Sequence, residues 1–302
     1  MRPGRSFSAL LALALIATGC GSSAPEPPKA APSPPQAPPP SAEPRLLWVK
    51  GPSGKLRVDD GGHGGVPVVL VHGLAGSRAV WTAQLEHLRK TRRALALDLH
   101  GCGESEPSSG GDYSIASFAA DVGAVADELH LDRFILAGHS MSGAVIGLYA
   151  GQHPDRALGL FFVDPAGDIS RAPKDRIEKF LKAFAPETYE QFREKWFGDM
   201  LVKATPKVRE SVLTTLRRTP REVALKSFEG LVAYDPLPSL GRYKGPMFLV
   251  YTEGGDDKES LQKLLPELPN RLMPGVSHWL MMDQPEAFNR IMDEFLATVG
   301  GR

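Results

Sequence analysis

Phe134-Ile-Leu-Ala-Gly138-His139-Ser140-Met141-Ser142-Gly143 reads as a short apolar strand that stops on a serine flanked by small residues, with a run of small residues continuing as a helix. A strand that turns straight into a helix holds such a serine on a strained elbow, its hydroxyl exposed above the helix N-terminus. Glycine-sized neighbours relieve the crowding. The pattern is one place short of G-x-S-x-G, because Ser142 stands where the second glycine is expected and Gly143 follows it. Short motifs match by chance, so the rest of the chain has to support this reading.

Two further strand ends do so. Val68 to Val71 runs into His72-Gly73-Leu74-Ala75-Gly76, a glycine-bearing turn whose backbone N–H can bind a developing oxyanion together with that of the residue after the serine. The donors expected are Leu74 and Met141. Ala94 to Leu97 runs into Asp98-Leu-His-Gly101-Cys-Gly103-Glu-Ser105, whose two glycines and serine shape a loop; Cys102 and His100 are read as parts of that loop.

From Leu46 onward, eight candidate strands alternate with amphipathic helical stretches: Leu46 to Lys50, Lys55 to Val58, Val68 to Val71, Ala94 to Leu97, Phe134 to Ala137, Leu160 to Val163, Met247 to Tyr251 and Arg271 to Met273. The first two are joined by Gly51-Pro-Ser-Gly54, which suits an antiparallel hairpin. Elsewhere apolar stripes at helical spacing intervene, such as Ile115, Phe118, Val122, Val125 and Leu129. This alternation predicts an α/β fold, a mostly parallel sheet with helices on both faces. Between Val163 and Met247 about eighty residues carry no strand, too many for a loop in a compact domain. They predict a helical cap over about residues 168–243, and its stripe of Phe184, Phe192, Trp196, Phe197 and Met200 is read as packing of the cap on the core.

Thirty-five basic residues balance thirty-five acidic ones, so nothing favours nucleic acid, and a neutral or weakly charged small molecule is expected as substrate. No His/Asp/Glu cluster has metal-ligand spacing, and the glycines form neither a dinucleotide fingerprint nor a phosphate loop, so no cofactor is expected. His139 is expected to point away from the serine and His72 to brace its loop. His63, His87, His130 and His153 read as surface residues.

Taken together, His72-Gly73, Asp98-x-x-Gly101-x-Gly103-x-Ser105, the run from Gly138 to Gly143 and Gly275-Val-Ser-His278-Trp279 resemble the α/β-hydrolase superfamily, in its capped esterase and lipase branch. The resemblance covers everything after residue 45 and implies a serine hydrolase that cleaves carboxylic esters through an acyl-enzyme. It implies the chain order nucleophile, acid, histidine, with Ser140 first and His278 last. For the acid it favours Asp256 over Asp257, both after the strand Met247 to Tyr251. A rarer variant of the family places the acid one strand earlier, at Asp164. Relatives with the same serine triad cleave carbon–carbon bonds or amides, or catalyse perhydrolysis. A binding protein that kept the scaffold without the chemistry is the alternative from another class.

The N-terminus reads as something other than fold. Arg2 and Arg5, the apolar stretch Phe7 to Ala17 and Thr18-Gly19-Cys20 have the order of a secretory signal, and Ala17-Thr18-Gly19-Cys20 resembles the lipobox of bacterial lipoproteins, in which the cysteine is acylated. Residues 1–20 are therefore expected as a lipoprotein-type signal with Cys20 the lipidation site. Residues 21–45 are expected as a proline-rich spacer and residues 46–302 as the folded domain. With Cys20 acylated, only Cys102 remains, so no internal disulfide is available. The expected location is an exported, membrane-anchored lipoprotein, and Gly21 after the cysteine favours the outer membrane or periplasm.

Overall fold

The computed structural model describes residues 43–254 and 257–299. The signal, Cys20, most of the proline-rich segment and Asp256 lie outside them. The described chain forms an eight-stranded sheet in the order β1-β2-β4-β3-β5-β6-β7-β8. Its strands are β1 (Arg45–Lys50), β2 (Lys55–Gly61), β3 (Val68–Val71), β4 (Ala94–Leu97), β5 (Phe134–His139), β6 (Ala157–Val163), β7 (Met247–Thr252) and β8 (Asn270–Met273). β2 pairs antiparallel with β1 and β4, and every other pairing is parallel. The Gly51–Gly54 turn closes the hairpin with a bond from Gly51 N–H to the Gly54 carbonyl, 2.9 Å. All eight expected strands are present, most of them a residue or more longer than expected.

The strands β3, β4 and β5 are buried at every residue, which is why they read as continuous apolar runs rather than as alternation: helices cover both faces of a parallel sheet. Those helices are α1 (Thr82–Leu88), α2 (Ile115–Glu128), α3 (Ser142–Gln152), α4 (Lys174–Ala183), α5 (Tyr189–Met200), α6 (Pro206–Arg218), α7 (Arg221–Val232), α8 (Leu237–Arg242), α9 (Leu261–Leu264), α10 (Leu280–Asp283) and α11 (Pro285–Val299). The stripe of α2 buries Ile115, Phe118, Val122 and Val125, and that of α11 buries Phe288, Ile291, Met292 and Phe295. Ser114 caps α2 by accepting the Ser117 N–H at 3.2 Å.

The order of the strands reverses at β3. The chain leaves β3 for β4 on one side and comes back to β5 on the other, and the crevice outside the carboxyl ends of two such strands is where open α/β sheets bind ligands. Helices α4 to α8 occupy the interval between β6 and β7, as the absence of strand signal there predicts. Their aromatic side chains interlock: Phe180 and Trp196 meet edge-on at 4.9 Å, Phe184 and Phe192 at 5.1 Å, and Phe180 stacks on Phe228 at 5.4 Å.

Candidate active site

Ser140 follows the last residue of β5 and has φ 53°, a left-handed conformation that costs energy for a residue with a Cβ. Its surroundings hold it there. The Ser140 N–H donates to the Val163 carbonyl at 2.9 Å, and its own carbonyl accepts from Gly143 at 3.0 Å and Ala166 at 3.3 Å. The small neighbours are required by contact: a Cβ on Gly138 would lie 2.5 Å from the Ser142 carbonyl oxygen, and one on Gly143 would lie 2.8 Å from Pro165 Cβ. Ser142, the departure from the motif, is fully buried and donates its hydroxyl to the His72 carbonyl. The added hydroxyl thus ties the elbow to the loop after β3.

That loop is braced as expected. His72 Nε2 accepts the Leu99 N–H at 3.0 Å, so Nδ1 carries the proton and donates to the Gly73 carbonyl at 2.7 Å. Burial lowers the His72 pKa, which keeps the ring neutral for both bonds. The backbone N–H groups of Leu74 and Met141 have no acceptor among the described residues, and both residues line the cavity that contains Ser140. Asp98 holds the next loop, accepting from Arg78 and, at 2.9 Å, from the Glu104 N–H.

The carboxylate against His278 is Asp164. His278 Nδ1 lies 2.6 Å from Asp164 Oδ2, so the ring donates there and turns its Nε2 lone pair outward. Asp164 directly follows β6 with φ 42°, and the pairing of Val163 with His139 on one side and Val250 on the other sets it between the elbow and the end of β7. Its second oxygen, Oδ1, accepts the Thr252 N–H at 3.1 Å. Asp256, the acid favoured from the sequence, lies outside the described residues. Asp257 is exposed, its Oδ2 4.0 Å from Arg176.

Sequence reasoning missed two residues. Thr252 bonds Asp164 through its backbone and the histidine loop through its hydroxyl, which donates to the Val276 carbonyl at 2.9 Å. Nothing in a threonine at a strand end announces that. His139, expected only to point away from the serine, reaches the histidine loop: its Nε2 lies 2.9 Å from the His278 carbonyl oxygen.

Ser140, Asp164 and His278 line one cavity of about 520 Å³. Its floor is the sheet edge and its roof is the cap, with Ile177, Phe180, Trp196, Phe197, Phe228 and Leu231 facing in. The expectation that the cap stripe only packs is therefore corrected in part: Phe184 is buried, whereas Trp196, Phe197 and Met200 line the cavity. The charged groups of the lining are paired, Lys203 with Glu253, Lys195 with Asp199 at 2.8 Å and Arg176 with Glu259 at 3.2 Å. A larger cleft of about 780 Å³ lies at the N-terminal ends of β7 and β8 and contains no serine, histidine or cysteine. Among the described residues no group of His, Cys, Asp or Glu is arranged to hold a metal.

An oriented serine, an imidazole with one nitrogen engaged by a carboxylate and two free backbone N–H groups in one apolar cavity are the parts of an acyl-transfer site. The sequence profile of the alpha/beta hydrolase fold matches residues 66–285, and the chain belongs to that family. It is similar to the dihydrolipoyllysine-residue acetyltransferase component of the acetoin cleaving system of Pseudomonas putida, 30% identical over 246 residues that make up 78% of this chain. The chain spans 65% of that relative's length. The mouse sn-1-specific diacylglycerol lipase ABHD11 is 26% identical over 251 residues, 76% of this chain and 80% of the lipase. Among solved structures, a thermophilic esterase from Thermogutta terrifontis superposes with a TM-score of 0.73 over 85% of this chain and 99% of its own, at 23% identity, a likeness of fold.

Proposed function

We propose that the protein is a serine hydrolase of neutral carboxylic esters, with Ser140 as nucleophile, His278 as general base and acid, and Asp164 as the carboxylate that orients it. The observation that carries this reading is the 2.6 Å contact between His278 Nδ1 and Asp164 Oδ2 beside the serine elbow. His278 Nε2 takes the Ser140 hydroxyl proton as the oxygen attacks the ester carbonyl. The tetrahedral oxyanion receives the Leu74 and Met141 N–H groups. His278 then passes the proton to the departing alcohol, and water, activated by the same nitrogen, hydrolyses the acyl-serine.

Asp164 in place of Asp256 keeps the order serine, acid, histidine along the chain. The substrate class follows from the cavity. Its inner wall is apolar and aromatic, and Arg176, Asp199, Lys203 and Glu253 of its lining each have an ion-pair partner, which favours a neutral ester with an apolar acyl group. A fluorophosphonate probe tests the assignment: native protein is labelled at Ser140, heated protein is not, and a panel of p-nitrophenyl esters of rising acyl length measures the pocket. Absence of labelling on folded protein overturns the reading.

The second part of the proposal concerns place. The order of basic, apolar and small residues before Cys20, with Gly21 after it, supports an acylated Cys20 that holds the enzyme to a membrane on the outer side of the cell. Stable anchoring takes more than one acyl chain. Mass spectrometry of the N-terminus from a membrane fraction tests it, and an unmodified terminus downstream of Cys20 overturns it.

A further inference from the structure

The imidazole of His139 is 2% exposed, and among the described residues only one of its two nitrogens has a hydrogen-bond partner. Nε2 faces the His278 carbonyl oxygen at 2.9 Å; a carbonyl only accepts, so Nε2 carries the proton. Nδ1 is then a bare lone pair, buried and without a hydrogen-bond partner among the described residues. A leucine or methionine would fill the same volume without stranding a lone pair, so packing alone does not account for an imidazole here.

The neighbours account for it. The ring lies 4.5 Å from that of His278 and 5.7 Å from that of Trp279. On its other side is Gly73, where a Cβ would come within 3.0 Å of His139 Nδ1 and 2.9 Å of Ser140 Cβ. Burial, and after it the adjacent His278, hold the His139 pKa well below the usual imidazole value, which keeps the ring a neutral donor of fixed tautomer. His139 is bonded covalently to Ser140, so its hydrogen bond closes a short loop from the serine elbow to the backbone of His278. The opposite side of the same residue is held too: the His278 N–H donates to the Met200 carbonyl at 3.2 Å.

Resting on the triad proposed above, we infer that His139 is a positioning residue: its Nε2–H fixes the His278 backbone, and its ring backs the His278 imidazole, so that the base stays registered on Ser140. Asp164 orients the ring from the far side through Nδ1. Misplacing a catalytic group by about 1 Å costs on the order of a hundredfold in rate, so a backbone clamp on the base is a rate determinant although it touches no substrate.

The test uses the full chain with p-nitrophenyl butyrate. His139→Leu removes the donor; His139→Gln returns an amide N–H near the place of Nε2; His139→Asn keeps a polar side chain too short to reach it. The expected result is a loss of about 10- to 100-fold in kcat for the Leu and Asn variants, KM within about threefold, and recovery by Gln to within about threefold of wild type. In a His278→Ala background the His139→Leu change should cost nothing further. Equal kcat for the Gln and Leu variants, a loss confined to KM, or an undiminished effect in the His278→Ala background overturns the inference. If His139→Leu does not fold, the Asn and Gln pair decides. A wild-type chain that neither hydrolyses the ester nor takes the fluorophosphonate brings down the triad itself, an outcome distinct from active but indifferent His139 variants.

Discussion

The carboxyl edge of the sheet and the cap above it are built on different rules. At the edge, contacts leave no slack: Gly73, Gly138 and Gly143 each sit where a single added carbon would clash, and Ser140 and Asp164 are held in left-handed backbone. In the cap, α4 buries none of its ten residues fully, α5 buries only Tyr189 and Phe197, and the two are held by half-buried rings. The difference separates tasks. On the reading proposed above, the serine and the carboxylate stand directly after strands whose close packing resists shifts, and the residues that would choose a substrate stand on helices that repack at modest cost.

Substitutions at the edge should therefore cut turnover, and substitutions in the cap should change preference. The largest effect is expected from Ser140→Ala, which removes one oxygen and no core volume: a fall of about a millionfold in kcat, with an unchanged melting temperature and no fluorophosphonate labelling. Next, Asp164→Asn should lower kcat about ten-thousandfold by supplying the wrong partner to His278 Nδ1, whereas Asp256→Asn and Asp257→Asn should each change it by less than about threefold. Steady-state kinetics on the three variants decide the acid, and a large loss at Asp256 alone would move the triad to the end of β7.

Trp196→Ala opens the roof without touching the edge. Its expected signature is a shift in chain-length preference of about tenfold in kcat/KM toward longer or branched acyl groups, with fluorophosphonate labelling retained. A uniform loss across all chain lengths would mean that the cap is part of the catalytic scaffold.

The smallest effect concerns pH. His100, on the loop after β4, is buried, with Nδ1 2.6 Å from Asp121 Oδ2 and Nε2 2.9 Å from the Asp112 carbonyl. Burial opposes its charge, but these two oxygens prevail and raise its pKa above the ordinary imidazole value. Burial pushes the Asp121 carboxyl up as well; its Oδ2 already accepts two N–H groups from His100, so the protonated imidazole is the form that fits. A raised folded-state pKa stabilises fully below the unfolded value of about 6.5 and loses that contribution as pH rises through the folded value. Thermal melts should show the melting temperature of wild type falling more than that of His100→Gln over that rise. Parallel curves would show that His100 stays neutral.

How much of this was legible in the sequence varies by region. The strands were, because a sheet covered on both faces demands apolar runs that end on glycine and serine turns, and β3 and β4 match residue for residue. Ser140, His278 and the turn at Leu74 stood out in the sequence because each sits in a local pattern, and all three line one cavity. The carboxylate beside His278 was not, since an aspartate after β6 and one after β7 look alike in sequence; the parallel register of β5, β6 and β7 sets Asp164 at the sheet edge, where it bonds His278. His139 and Thr252 were illegible for the same reason, each acting on a loop more than twenty residues away.

The bond from the His278 N–H to the Met200 carbonyl reaches beyond its geometry. Met200 is the last residue of α5. Three residues further on, Lys203 grips Glu253, which accepts the Gly275 N–H at 3.2 Å. Roof and base therefore share fasteners, and the cap is not an interchangeable hat. Anyone grafting a foreign cap onto this scaffold to change its substrate has to bring along a carbonyl at the Met200 position, or inherit an enzyme whose new pocket fits and whose histidine rattles.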